Sequence, residues 1–91
     1  MAETRVAVVA IIVEKLEAAA EVNAILHEFG GYIIGRMGIP YRERNISIIS
    51  IALDAPANTI SALAGKIGQL HGVSVKTAYS GISEVRREAD V

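Results

Sequence analysis

An α+β fold, with a four-stranded antiparallel sheet and two helices on one face, is what this sequence predicts, and three observations predict it. Val6 to Val13 and Asn45 to Asp54 are apolar on both alternating faces, as central strands are. Each is followed by a stretch at helical spacing, and two weaker strand patterns, Tyr32 to Ile39 and Val73 to Ser80, complete the set. Both weak strands carry a charged residue, which suits sheet edges, where charge discourages unwanted pairing.

β1, Arg5 to Val13, is rich in Val and Ile, and that β-branched enrichment argues strand rather than buried helix. From Glu14 the period becomes helical: in α1, Ala18, Val22, Ile25 and Phe29 share one narrow face, with Leu26 at its margin. Glu17, Glu21 and Glu28 flank that face, and His27 points nearly opposite. Gly30 and Gly31 are expected to end the helix in the left-handed conformation. In β2, Ile33, Gly35, Met37 and Ile39 face one way, and Ile34, Arg36 and Gly38 the other. Pro40 to Asn45, PYRERN, reads as a polar hairpin connection into β3.

In DAPAN, Asp54 to Asn58, either Asp54 or Asn58 is a candidate helix cap, and Pro56 suits a first turn. Ile60, Leu63, Ala64, Ile67 and Leu70 then form the buried face of α2. Beside it Ser61, Gly65 and Gly68 make a stripe of small residues, which predicts close approach by α1 or, alternatively, by a ligand or second subunit. After His71 and Gly72, β4 alternates Val73, Val75, Thr77 and Tyr79 against Ser74, Lys76, Ala78 and Ser80. Residues 1–80 are read as one domain, and 81–91, GISEVRREADV, as a short helix or loose tail.

The order βαββαβ, joined by right-handed crossovers, is that of the ferredoxin-like sandwich with strand order 4-1-3-2. This order places the two most apolar strands, β1 and β3, at the centre, and Arg36 and Lys76 at the edges. With both helices on one sheet face, the apolar residues of β1 and β3 on the other face lack cover. A soluble monomer rarely leaves such a patch open, so a homo-oligomer through the sheet face is expected, a dimer or a tetramer.

Composition narrows the function classes. Nine Lys plus Arg against ten Asp plus Glu give a formal charge of -1, no field for a nucleic-acid backbone or an anionic membrane. Three Tyr and one Phe build no stacking platform for bases. The absence of Cys removes disulfides and thiolate metal sites, and is consistent with a cytoplasmic protein. The apolar start of β1 is too short to span a bilayer and lacks the basic region and cleavage site of a signal peptide.

Chemistry-bearing residues are few. His27 and His71 are not spaced as a metal pair within one chain. The acidic residues are spread over helix surfaces, so no catalytic acid and base can be named, and no cofactor is implied. AGKIG lacks the upstream glycine-rich loop that cradles phosphates. The one polar concentration is the hairpin, where Arg36, Arg42 and Arg44 lie with Tyr41 and Asn45. Guanidinium groups pair bidentately with carboxylate or phosphate, which makes Arg36, Tyr41, Arg42 and Arg44 the candidate site for a small anionic effector. The competing reading is a solvated, solubilising hairpin or intersubunit salt bridges with Glu43.

Three segments carry a resemblance: VNAILHEF at Val22 to Phe29, RMGIPYRERNISII at Arg36 to Ile49, and TISALAGKIGQLHGVSVKT at Thr59 to Thr77. On these the chain resembles the small regulators associated with the iron-only hydrogenase system, a family similar to the C-terminal regulatory domain of nickel-responsive repressors and to ACT-like domains. The resemblance implies a ferredoxin-like subunit that assembles into a dimer or tetramer and acts in regulation, and with no catalytic pair in the sequence the leading expectation is a non-enzymatic, ligand-sensing oligomer. It departs from nickel-responsive repressors in having two His and no Cys, and no DNA-binding arm before β1, so neither nickel sensing nor direct DNA binding carries over. It departs from ACT amino-acid sites in having no glycine at Val13-Glu14-Lys15. The alternatives on the same scaffold are a small enzyme or a structural adaptor for another protein.

Overall fold

The computed structural model describes residues 3–81. Its four strands are β1 (Arg5–Val13), β2 (Ile33–Tyr41), β3 (Ile46–Ala55) and β4 (Val73–Tyr79), and its two helices are α1 (Ala19–Glu28) and α2 (Ala57–Gly68). They form one antiparallel sheet ordered β2-β3-β1-β4, which is the predicted order read from the other edge. The fold is ferredoxin-like. Residues 82–91 of the predicted tail lie outside the described residues.

Strand alternation fixes the two faces. Ala7, Val9, Ile11 and Val13 of β1 and Ile49, Ile51, Leu53 and Ala55 of β3 are buried under Val22 and Leu26 of α1 and Ile60, Leu63 and Ile67 of α2. Val75 of β4 and Ile33 of β2 pack at the rim of this core. No polar or charged residue among those described is buried in it, so the core is held by the burial of aliphatic side chains, worth roughly 25 cal/mol per Å². At the open end of β1, the Arg5 guanidinium lies 4.7 Å from the Tyr79 ring centroid and its Nη2 donates to the Ser80 carbonyl at 2.7 Å. This fastens the end of β4 to the start of the chain.

Several local expectations are corrected. The chain enters α1 through a 3-10 turn, Leu16–Ala18, and the tighter winding of that turn shifts the phase of α1. The buried seam is therefore Val22, Leu26 and Phe29, and Ile25, expected inside, is only half-buried. Gly30 and Gly31 are not left-handed; the helix runs into a second 3-10 turn, Gly30–Tyr32, whose Tyr32 N–H donates to the Phe29 carbonyl at 3.0 Å. Among the described residues the glycine with positive φ is Gly72, at 79°.

At α2 neither Asp54 nor Asn58 is the cap. Pro56 holds that position, its carbonyl accepting from the Thr59 and Ile60 N–H groups at 2.9 and 3.1 Å, while Asp54 continues β3 opposite Val6. The small-residue stripe also fails as a packing feature of the chain. Ser61, Gly65 and Gly68 are exposed, and a Cβ built on either glycine would meet no atom within 4 Å, so α1 does not approach there.

β2 departs most from its predicted form. A bulge between Ile33 and Gly35 lets Ile33 pair with Leu53 on the helix side while Gly35 pairs with Ala52 on the opposite face, so the two do not share a face as expected. Pro40 and Tyr41 belong to the strand, opposite Ser47 and Ile46. After Ile33 every residue of β2 is exposed, because the helices cover β1, β3 and β4 and leave this strand overhanging.

The face away from the helices carries Val6, Val8 and Ile12 from β1, Ile48 from β3, and Met37 and Ile39 from β2, each between 36% and 52% exposed. Register aligns Ile39, Ile48 and Ile12 in a ridge across three strands. Next to it Ser50 and Ala10 form a shallow row.

Candidate effector site

The candidate residues divide between the two sides of β2. Arg36 stands opposite Ile51 on the helix side, and its Nη2 donates to Asn23 Oδ1 of α1 at 3.1 Å. Tyr41 stands opposite Ile46 at the strand end, on the side of the isoleucine ridge, and is 43% exposed. Arg42 and Arg44 occupy the 3-10 turn that joins β2 to β3, with Glu43 between them. The turn closes on Asn45, at φ 54° and ψ 41°, whose N–H donates to the Arg42 carbonyl at 3.2 Å. Asparagine is among the few residues that tolerate this left-handed geometry, which explains the residue type at this position.

At about 3.3 Å per residue, Arg36 is roughly 17 Å along the strand from Tyr41, and odd and even positions face opposite ways. One chain therefore brings Arg42 and Arg44 together near Tyr41, and sets Arg36 apart with Asn23. None of the three arginines has a carboxylate partner among the described residues; the ion pair found among them joins Lys66 Nζ to Glu28 Oε2 at 3.0 Å, between the two helices. Most of the N–H donors of all three guanidiniums therefore face solvent. Asn23 was not visible as a site residue from the sequence, since only the tertiary fold brings α1 within reach of the Arg36 side chain.

His27 and His71 are both exposed, one on α1 and one after α2. Among the described residues no group of three or more His, Asp or Glu is placed to hold a metal ion. No described helix is long and apolar enough to cross a membrane.

The family model described as "TM1266-like: Iron-only hydrogenase system regulator, putative" matches residues 5–77, which is the whole sheet except the end of β4. The chain belongs to the TM1266-like family. Its fold and its sequence agree on this: the structure is similar to that of the uncharacterized protein TM1266 from Thermotoga maritima, with 42% identity and a TM-score of 0.80 over 84% of this chain and 96% of that one. It is also similar to a formyltetrahydrofolate deformylase from Pseudomonas putida KT2440, at 14% identity and a TM-score of 0.59, over 80% of this chain and 28% of that one. That second likeness shows the fold alone. No curated protein matches the chain.

Proposed function

We propose that this TM1266-like chain is a non-enzymatic regulatory subunit, linked to the iron-only hydrogenase system, which works as a homo-oligomer and senses a small anionic effector. The observation that carries the reading is the sheet face away from the helices, which nothing among the described residues covers. Strands about 4.8 Å apart and about nine residues long make a face about 15–20 Å by 30 Å, roughly 450–600 Å² in plan, close to the roughly 600 Å² per partner at the lower limit of stable interfaces. The occupant that suits it is a second copy. A two-fold axis would lay the Ile39–Ile48–Ile12 ridge of each chain along the shallow Ser50–Ala10 row of the other, the large-against-small complementarity of a packed core.

The effector part of the reading rests on the donors of Arg36, Arg42 and Arg44, which no carboxylate of the described residues satisfies. Tyr41, Arg42 and Arg44 lie at one end of the sheet face, where a face-to-face pair would place them beside its rim. Light scattering on the purified chain tests the oligomer. A multimer that Val8→Glu reduces to monomers without loss of helix and sheet content supports it, and a wild-type monomer removes it. A stable monomer would favour a structural adaptor whose sheet face takes a different protein.

A further inference from the structure

We infer that β2 pairs along its free edge with β2 of a second copy, and that a small polyvalent anion held between the two Arg36 side chains drives the pairing. The inference rests on the anion-sensing oligomer proposed above and supplies its switch. It starts from the exposure of β2 on both faces as well as along its edge, which is unpaired among the described residues.

The ladder register says which backbone groups point outward. Pro40 has no N–H, and a proline sits in a sheet with its nitrogen on the free edge. Along an extended strand the outward positions alternate, so Gly38 and Arg36 also turn their N–H and C=O groups away from β3. In an antiparallel pair centred on Met37, Arg36 of each chain faces the partner's Gly38, and both residues exchange backbone hydrogen bonds. Pro40, which has no donor to offer, falls opposite the bulge beside Ile34, outside this central set.

On the helix side the same register sets the two Arg36 side chains on a diagonal about 7–8 Å apart at Cα. Between them lie only the two Gly38 residues. A Cβ built on Gly38 would meet no atom within 4 Å, so the space above the strand is open. Each guanidinium is steered toward α1 by its bond to Asn23 Oδ1, which engages one nitrogen and leaves further donors for a ligand. Two like charges at this separation oppose association, and an anion that accepts from both removes the opposition. Phosphate-class oxyanions match the fork geometry of guanidinium and can bridge two of them.

Sedimentation with inorganic phosphate as the probe, against chloride at matched ionic strength, tests this at a pH where phosphate is doubly charged. The expected result is a doubling of mass in phosphate, with the Arg36 and Gly38 amides gaining protection from hydrogen exchange. Arg36→Gln, which removes both the repulsion and the anion's partners, should abolish the phosphate dependence, so that its mass is the same in chloride and in phosphate. Gly38→Pro should do the same, since it removes a donor only from the free edge. Phosphate-independent mass, or a response unchanged in both variants, overturns the inference. A multimer in chloride that ignores phosphate would leave the sheet-face oligomer standing, whereas a monomer in chloride would remove that reading separately.

Discussion

Gly72 is pressed against Lys15. Its carbonyl accepts the Glu14 N–H at 2.7 Å, its φ is 79°, and a Cβ added there would collide with Cγ and Cβ of Lys15. The turn between α2 and β4 is thus clamped onto the exit of β1, and only glycine allows both the backbone geometry and the approach. Gly72→Ala should destabilise the chain by about 2 kcal/mol or more, from the left-handed penalty plus the clash. Urea unfolding should show the loss as a lower midpoint with an unchanged slope.

Gly65→Ala is expected to act in the opposite direction. The position is a helix interior with open space where the methyl would go, so the variant gains helix propensity, about 0.5–1 kcal/mol. A stabilised chain is the expected result by thermal or urea unfolding. A destabilised one would mean that a second copy packs against this stripe.

Leu63 and Met37 separate the two kinds of apolar position. Leu63 is wholly buried between α2 and the sheet, and Leu63→Ala should cost about 2–5 kcal/mol through lost burial and the cavity left behind. Met37 is 52% exposed in the chain alone, and its truncation to Ala should change unfolding of isolated monomers by less than about 0.5 kcal/mol. Comparing the two by urea titration, at a concentration low enough to dissociate the assembly, checks the difference.

Arg42 and Arg44 are exposed and lack carboxylate partners among the described residues, so charge reversal should leave stability within about 0.5 kcal/mol of wild type. Binding should change instead. Arg42→Glu is expected to reduce the thermal stabilisation given by inorganic phosphate or a small dicarboxylate, and an identical shift in variant and wild type would take Arg42 out of the site.

The element order and sheet topology were legible in the sequence because they depend on pattern. Val6 to Val13 and Asn45 to Asp54 are apolar on both faces, and few topologies place two such strands together. What escaped was set by local geometry that pattern does not encode. The 3-10 entry to α1 moved Leu26 inside and left Ile25 half-buried at the core's margin, and the bulge at Ile33 changed which β2 residues share a face. Pro56 displaced both expected caps because the strand runs on to Ala55 before the helix begins. For the candidate site, sequence proximity grouped Arg36 with Arg42 and Arg44, but strand parity and rise separate them. The bond from Arg36 to Asn23 joins elements that only the tertiary fold brings together.

The central claim is that the uncovered sheet face is filled by a second copy of the same chain. Sedimentation equilibrium on the purified protein at micromolar concentration measures this most directly. The predicted result is a mass of at least twice the 9.6 kDa of one chain, falling to that of one chain in Val8→Glu. A wild-type mass of one chain would contradict it.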